Sequence, residues 1–104
     1  MDGYSLIERD IIKSVNQNIR LILTTLKGSD VHRPDFGSEL PLLIDKPLTA
    51  INAGRIKALV VDEIKFWEPR VKVKEVLIEK GYASLRIRIQ YEIVETGEVA
   101  ELWL

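Results

Sequence analysis

The chain has no cysteine. That excludes a disulfide framework and a thiolate metal site, and it fits synthesis in the cytosol. It has a single histidine, His32. Without a second imidazole or a thiol beside it, a transition-metal centre is not expected, and His32 reads as a surface residue. Charge of either sign is not in surplus: 15 basic residues face 16 acidic ones, for a formal net charge of −1. A general nucleic-acid binder carries a basic excess, so that class is set aside. No apolar run approaches the roughly 20 residues needed to span a bilayer. The start, Met1-Asp2-Gly3-Tyr4-Ser5, lacks the basic and continuous apolar segments of a signal peptide. No glycine-rich phosphate loop and no nucleophile elbow occur.

What is present suits one folded domain over residues 1–104. Of the residues, 46% are hydrophobic and 30% charged, a balance that favours a packed core over disorder. Four prolines and six glycines are few enough to act as punctuation, and the periodic segments lie between them.

Apolar residues at Ile7, Ile11, Val15, Ile19, Ile22 and Leu26 recur every three or four positions, with Ile12 and Leu23 widening the stripe. This predicts a helix over about 5–27. Ser5 and Glu8 form a candidate capping box, and Gly28 can close the helix in a left-handed conformation. Lys13, Asn16, Gln17 and Arg20 read as its solvated face. Residues 28–48 form a long connection punctuated by Pro34, Gly37, Pro41 and Pro47, and a loop of that length suggests binding or docking. Phe36, Leu40, Leu42, Leu43 and Ile44 should anchor it to the core, with room for one helical turn. A second helix is expected over about 49–67, capped by Thr49. Its buried stripe would be Ala53, Ile56, Val60, Ile64 and Trp67, with Leu59 and Val61 nearby.

Three strands should follow. Val71 and Val73 alternate in one phase and Val76 and Ile78 in the other, so a bulge is expected near Lys74-Glu75. Lys80-Gly81 signals a hairpin turn. Leu85, Ile87, Ile89, Tyr91 and Ile93 then face one side, opposite Arg86, Arg88, Gln90 and Glu92. Thr96-Gly97 turns the chain into a last strand over Val99–Leu104. The expected class is α+β, two helices packed on a three-stranded antiparallel meander. A last strand of this kind can leave an open sheet edge that recruits other strands, with Glu101 and Trp103 as its contact residues. The other reading is that Trp103 and Leu104 pack into the core, and both can hold because alternate residues point to opposite faces.

Two segments stand out chemically. In Phe66-Trp67-Glu68-Pro69-Arg70, the proline ends a helix, because it lacks an N–H and its ring clashes one turn back. Glu68 and Arg70 then sit on a stiff corner, either as a local ion pair or as a docking point. In Arg33-Pro34-Asp35-Phe36-Gly37-Ser38, Phe36 pins the turn, Pro34 stiffens it and Gly37 supplies an unusual backbone angle. Arg33 and Asp35 are then presented outward.

With the Leu23–Gly28 helix exit, these two motifs in this order resemble the small wedge proteins of contractile phage-tail baseplates, a family often labelled tail lysozyme. The resemblance covers nearly the whole chain. It implies a structural part of the virion tail baseplate, assembled in the host cytoplasm, that joins the wedge core to the first sheath ring. Its expected partners are other wedge proteins and the tail sheath protein in a hetero-oligomeric assembly, with no cofactor, nucleic acid or membrane. Arg33, Asp35, Glu68, Pro69, Arg70, Glu101 and Trp103 are the candidate partner-binding residues. Similar domains serve type VI secretion baseplates and anti-adaptor regulators, which stand as alternatives. The family label raises glycan hydrolysis as a rival. That reaction needs two carboxylates flanking a cleft, one with a raised pKa. Glu39, Asp45, Glu63 and Glu68 are available, but most such carboxylates stand alone beside lysines or arginines, as on a solvated face. One small domain also leaves little material for a glycan groove, so no catalytic residue is expected.

Overall fold

The structure is a computed structural model. It describes the backbone of residues 3–81 and 85–104, and side chains from Asp10 onward. Three helices precede three strands: α1 (Gly3–Thr24), α2 (Leu40–Leu43), α3 (Ala50–Trp67), β1 (Val71–Lys80), β2 (Leu85–Ile93) and β3 (Val99–Trp103). The sheet is an antiparallel meander in the order β1-β2-β3, as the α+β reading expects. No helix among the described residues is long and apolar enough to cross a membrane.

The periodicities have the predicted consequence. Val15, Ile19, Ile22 and Leu23 of α1 and Ile56, Val60 and Ile64 of α3 are buried in one cluster with Val71, Val76, Ile87, Ile89, Tyr91, Ile93 and Leu102 of the sheet. Each such aliphatic side chain contributes about 1.5–3 kcal/mol by leaving water. Thr49 caps α3 by accepting the Asn52 N–H at 3.1 Å. The phase change in β1 is a register shift between Val73 and Glu75 opposite Tyr91 and Gln90, which lets Val71 and Val76 both face the core.

Several expectations need correction. α1 stops at Thr24, not near residue 27, because the chain leaves the helix to pair with the following loop. Leu26 bridges Ser38, with Ser38 N–H on Thr25 O at 2.8 Å and Lys27 N–H on Ser38 O at 3.0 Å. Gly28 is left-handed at φ 90°, but it turns this loop instead of closing the helix. Phe36 and Leu40 anchor the connection as expected, whereas Leu42, Ile44 and, on α3, Val61 are exposed. Asn16 is not on a solvated face: it accepts the Tyr91 hydroxyl proton at 2.5 Å. α1 begins at Gly3, which places Ser5 inside the helix. The Ser5, Ile7 and Glu8 side chains and residues 82–84 lie outside the described residues.

Gly37 is the tightest point of the connection. Its φ is 108°, and a Cβ there would lie 2.4 Å from Thr25 O. Gly37→Ala should therefore cost at least about 2 kcal/mol, from left-handed strain plus a backbone clash. The urea midpoint of the variant reads this out, and an unchanged midpoint would mean the loop relaxes freely.

Candidate functional site

The corner that follows α3 is built by proline chemistry. A residue before proline is pushed toward extended geometry, and Glu68 takes φ −132°, ψ 74° while its N–H still closes the helix on Ile64 O at 2.7 Å. That twist turns the Glu68 side chain inward, where it is only 1% exposed. Both carboxylate oxygens are engaged. Arg70 Nε donates to Oε1 and Arg70 Nη2 to Oε2, each at 2.7 Å. Asn18 Nδ2 of α1 donates to Oε2 at 2.7 Å, and the Arg70 N–H adds a 3.3 Å bond to Oε1. Burial by itself would raise the carboxyl's pKa, but the Arg70 bonds and charge together with Asn18 outweigh it and hold Glu68 below its ordinary value of 4.5. The same carboxylate raises Arg70 above its ordinary range.

Arg70 is therefore clamped without being buried: its side chain is 46% exposed. A third donor, Nη1, reaches Ser14 Oγ of α1 at 3.3 Å. A guanidinium has five N–H donors, so one on each terminal nitrogen remains free for another group. Beside it lies a hollow of about 250 Å³ lined by Ile11, Pro69, Arg70, Ile93, Val94 and Glu95. Behind it, Tyr91 is fully buried, and burial, with the Glu68 and Glu98 charges, pushes its pKa up to about 12. The corner thus fastens α1, α3 and the sheet to one another.

The second motif packs beside the first. Phe36 stands edge-on to Trp67 with ring centroids 5.1 Å apart, and Trp67 edge-on to Phe66 at 4.9 Å. Arg33 stacks over Phe36 at 4.0 Å and pairs with Asp30 at 3.2 Å. Asp30 also accepts the His32 N–H, and that bond, with Arg33, lowers its pKa. Ser38, buried, donates to Leu23 O and accepts the Leu40 N–H, both at 3.2 Å. Pro34 and Asp35 lie on the exposed side of the turn.

On β3, the alternation of an antiparallel ladder decides which groups are free. Ile93 N–H bonds Glu98 O and Leu104 N–H bonds Ile87 O, both at 2.8 Å. Residues 98, 100, 102 and 104 therefore face β2 with their backbone groups. Val99, Glu101 and Trp103 point theirs outward from the edge. Their side chains lie on the sheet face away from the helices, where Arg88 comes within 4.0 Å of Glu101 and Arg86 stacks on Trp103 at 4.5 Å.

The structure thus brings the two loop motifs together and leaves Glu101 and Trp103 on the sheet edge. Glu68, expected to face a partner, faces inward and reaches the surface only through Arg70. Sequence reasoning missed Ser14 and Asn18, which sit four apart at the margin of the α1 stripe, and also Asp30 and Ser38. Among the described residues no group of three or more His, Cys, Asp or Glu side chains is placed to hold a metal ion.

The sequence profile of the baseplate wedge protein gp25 family matches residues 9–98. The chain belongs to that family. It is 35% identical over 92 residues to baseplate protein W of Escherichia phage P2, covering 88% of this chain and 80% of the phage protein. It is 23% identical over 92 residues to baseplate wedge protein gp25 of Enterobacteria phage T4, covering 86% and 70%. Among solved structures it resembles a Geobacter sulfurreducens protein described as a candidate tail lysozyme, with a TM-score of 0.78, 28% identity and coverage of 89% and 86%. It also resembles a chain of the postcontracted pyocin R2 baseplate, with a TM-score of 0.62, 26% identity and coverage of 88% and 80%. The two segments described above, from Arg33 to Ser38 and from Phe66 to Arg70, both lie inside the matched span.

Proposed function

We propose that this gp25-family chain joins the wedge core of a contractile baseplate to the first ring of the sheath. Its partners would be other wedge proteins at the corner and a tail sheath protein at the sheet edge, in a hetero-oligomer built in the host cytoplasm. The observation that carries the reading is the clamped, half-exposed Arg70 fork beside the hollow at Pro69. A docking residue held in place by Glu68, Asn18 and Ser14 loses little freedom when a partner engages it. Arg33 and Asp35 present a second contact from the neighbouring turn. The outward N–H and C=O groups of β3 offer backbone pairing to a sheath arm, with Trp103 as a side-chain handle.

Arg70→Lys tests the corner. Truncation to alanine would strip Glu68 of its partner and confuse docking with folding. Lysine keeps the charge and loses the planar fork. The variant should remain folded by circular dichroism and lower wedge assembly by at least about tenfold. Normal assembly of a folded variant would refute docking through Arg70.

Glycan hydrolysis is the second reading, favoured only by the description of the Geobacter relative. A general acid needs a raised carboxyl pKa, and Glu68 is lowered and buried. Glu63 is tied to Lys27 at 3.5 Å and accepts the Trp67 indole N–H at 3.2 Å. Glu39 and Asp45 stand on the exposed surface. Release of soluble fragments from peptidoglycan, abolished by a Gln or Asn substitution at one of these four carboxylates, would favour hydrolysis.

A further inference from the structure

Phe66 is 74% exposed, a large apolar side chain left in water. It is not loose, because its ring is the end of the row that runs from Phe36 through Trp67. Among the described residues, guanidinium groups lie on aromatic rings at two places, Arg33 on Phe36 and Arg86 on Trp103. Among the described residues no cation is stacked on Phe66 or Trp67.

Phe66 and Trp67 line a groove of about 440 Å³ together with Lys27, Asp35, Asp62 and Glu63. Three carboxylates there face one ammonium. Lys27 is already paired with Glu63, which also holds the Trp67 indole N–H. Asp35 and Asp62 are exposed, and no ion pair or side-chain hydrogen bond engages either among the described residues. The charge of the groove selects a cationic occupant. Its aromatic wall selects a flat one, because a guanidinium stacks on a ring while its edge donors fork to carboxylates. An ammonium is compact and more strongly hydrated, so it gains less from the same wall.

We infer that this groove receives an arginine side chain from an extended segment of a protein partner. The guanidinium lies on Phe66, with Asp35 and Asp62 taking its edge donors. The groove shares no lining residue with the hollow at Pro69 and Arg70, so it is a separate contact. It rests on the baseplate reading only for the place where that partner is met.

The test uses the isolated, isotope-labelled full chain and three short acetylated peptides that differ at one central residue: arginine, lysine or citrulline. Nuclear magnetic resonance should show saturable shifts at the Trp67 indole N–H and the Phe66 amide. The arginine peptide should bind about three- to tenfold more tightly than the citrulline peptide, the size expected for an exposed cation–aromatic contact plus a surface ion pair. Phe66→Ala and Asp62→Asn, both at exposed positions, should each lose that preference, whereas Arg70→Lys should keep it. Equal binding of arginine and citrulline peptides, or shifts scattered over the surface, would overturn the inference. So would shifts at Phe66 that appear on concentrating the protein without peptide, which would give the groove to a second copy of the chain. None of these failures touches the Arg70 assembly assay, which reads a different surface.

Discussion

Baseplates carrying Glu101→Pro should assemble and then fail to start a sheath. The N–H of residue 101 points away from β2, since the neighbouring bonds to β2 belong to residues 98 and 104 and alternate along the ladder. Proline there removes a donor only from the free edge, where proline is tolerated in strands. The side-chain cost is the 4.0 Å contact with Arg88, an exposed pair worth about 0–1 kcal/mol. A loss of about 1 kcal/mol would lower the melting temperature by only about 4–8 °C in a domain of this size. Strand addition depends on a short run of backbone bonds, so losing the middle one and gaining a ring in its path should reduce sheath initiation by more than about tenfold. Ala100→Pro is the control. It removes a ladder donor that faces β2 opposite Tyr91 and should destabilise the domain itself by about 1–3 kcal/mol, the cost of leaving the facing acceptor unpaired. Electron microscopy of tails with each folded variant reads the result. Sheaths of normal length on Glu101→Pro baseplates would exclude pairing at β3 as the nucleating contact.

Glu68→Gln should lower stability by about 2–4 kcal/mol at neutral pH, because it leaves the Arg70 fork and the Asn18 amide facing a neutral group that presents one donor too many. The pH dependence distinguishes this from a packing defect. Glu68 has a folded pKa below its ordinary 4.5, so its stabilisation is fully present above 4.5 and is lost as pH falls through the lower folded value. The gap between the wild-type protein and Glu68→Gln should be constant from about pH 7 to pH 5 and then narrow. It should close once pH has fallen below that lowered folded value, where both proteins carry a neutral group at this position. Urea denaturation across that range provides the measurement. A gap that persists unchanged into acid would show that the carboxylate's charge is not what holds the corner. The same substitution should also weaken wedge assembly, because it unclamps Arg70.

Much of the architecture could be read along the chain, and the reason is local. The Val15–Ile19–Ile22 spacing of α1, the Ile56–Val60–Ile64 spacing of α3 and the alternation of β2 each assign a buried face without knowledge of a partner element. Thr49 and Pro69 act within one turn of themselves. The bulge near Glu75 was visible because a phase change in a period-two pattern has few other causes. The end of α1 was not visible. Helical periodicity runs on through Leu26, and only the pairing of Leu26 with Ser38, twelve residues later, draws the chain out of the helix. Leu42, Ile44 and Val61 show the same limit, since apolarity does not say which side of a short turn or a helix margin finds a neighbour.

By itself, the sequence determined the class, the three-strand meander, the rigid turn at Gly37 and the helix-ending corner at Pro69, together with the wedge-protein resemblance those motifs carry. Only the tertiary structure decided what the corner's charges do. Glu68 and Arg70 are two residues apart and read equally well as an exposed pair. Their roles separate because α1 crosses behind them and brings Asn18 and Ser14 to the same carboxylate and guanidinium. The structure also decided that Phe36 meets Trp67, and that Glu101 rather than Ala100 faces the open edge. Such choices depend on distances between segments remote in the chain, set by which faces the core has already claimed.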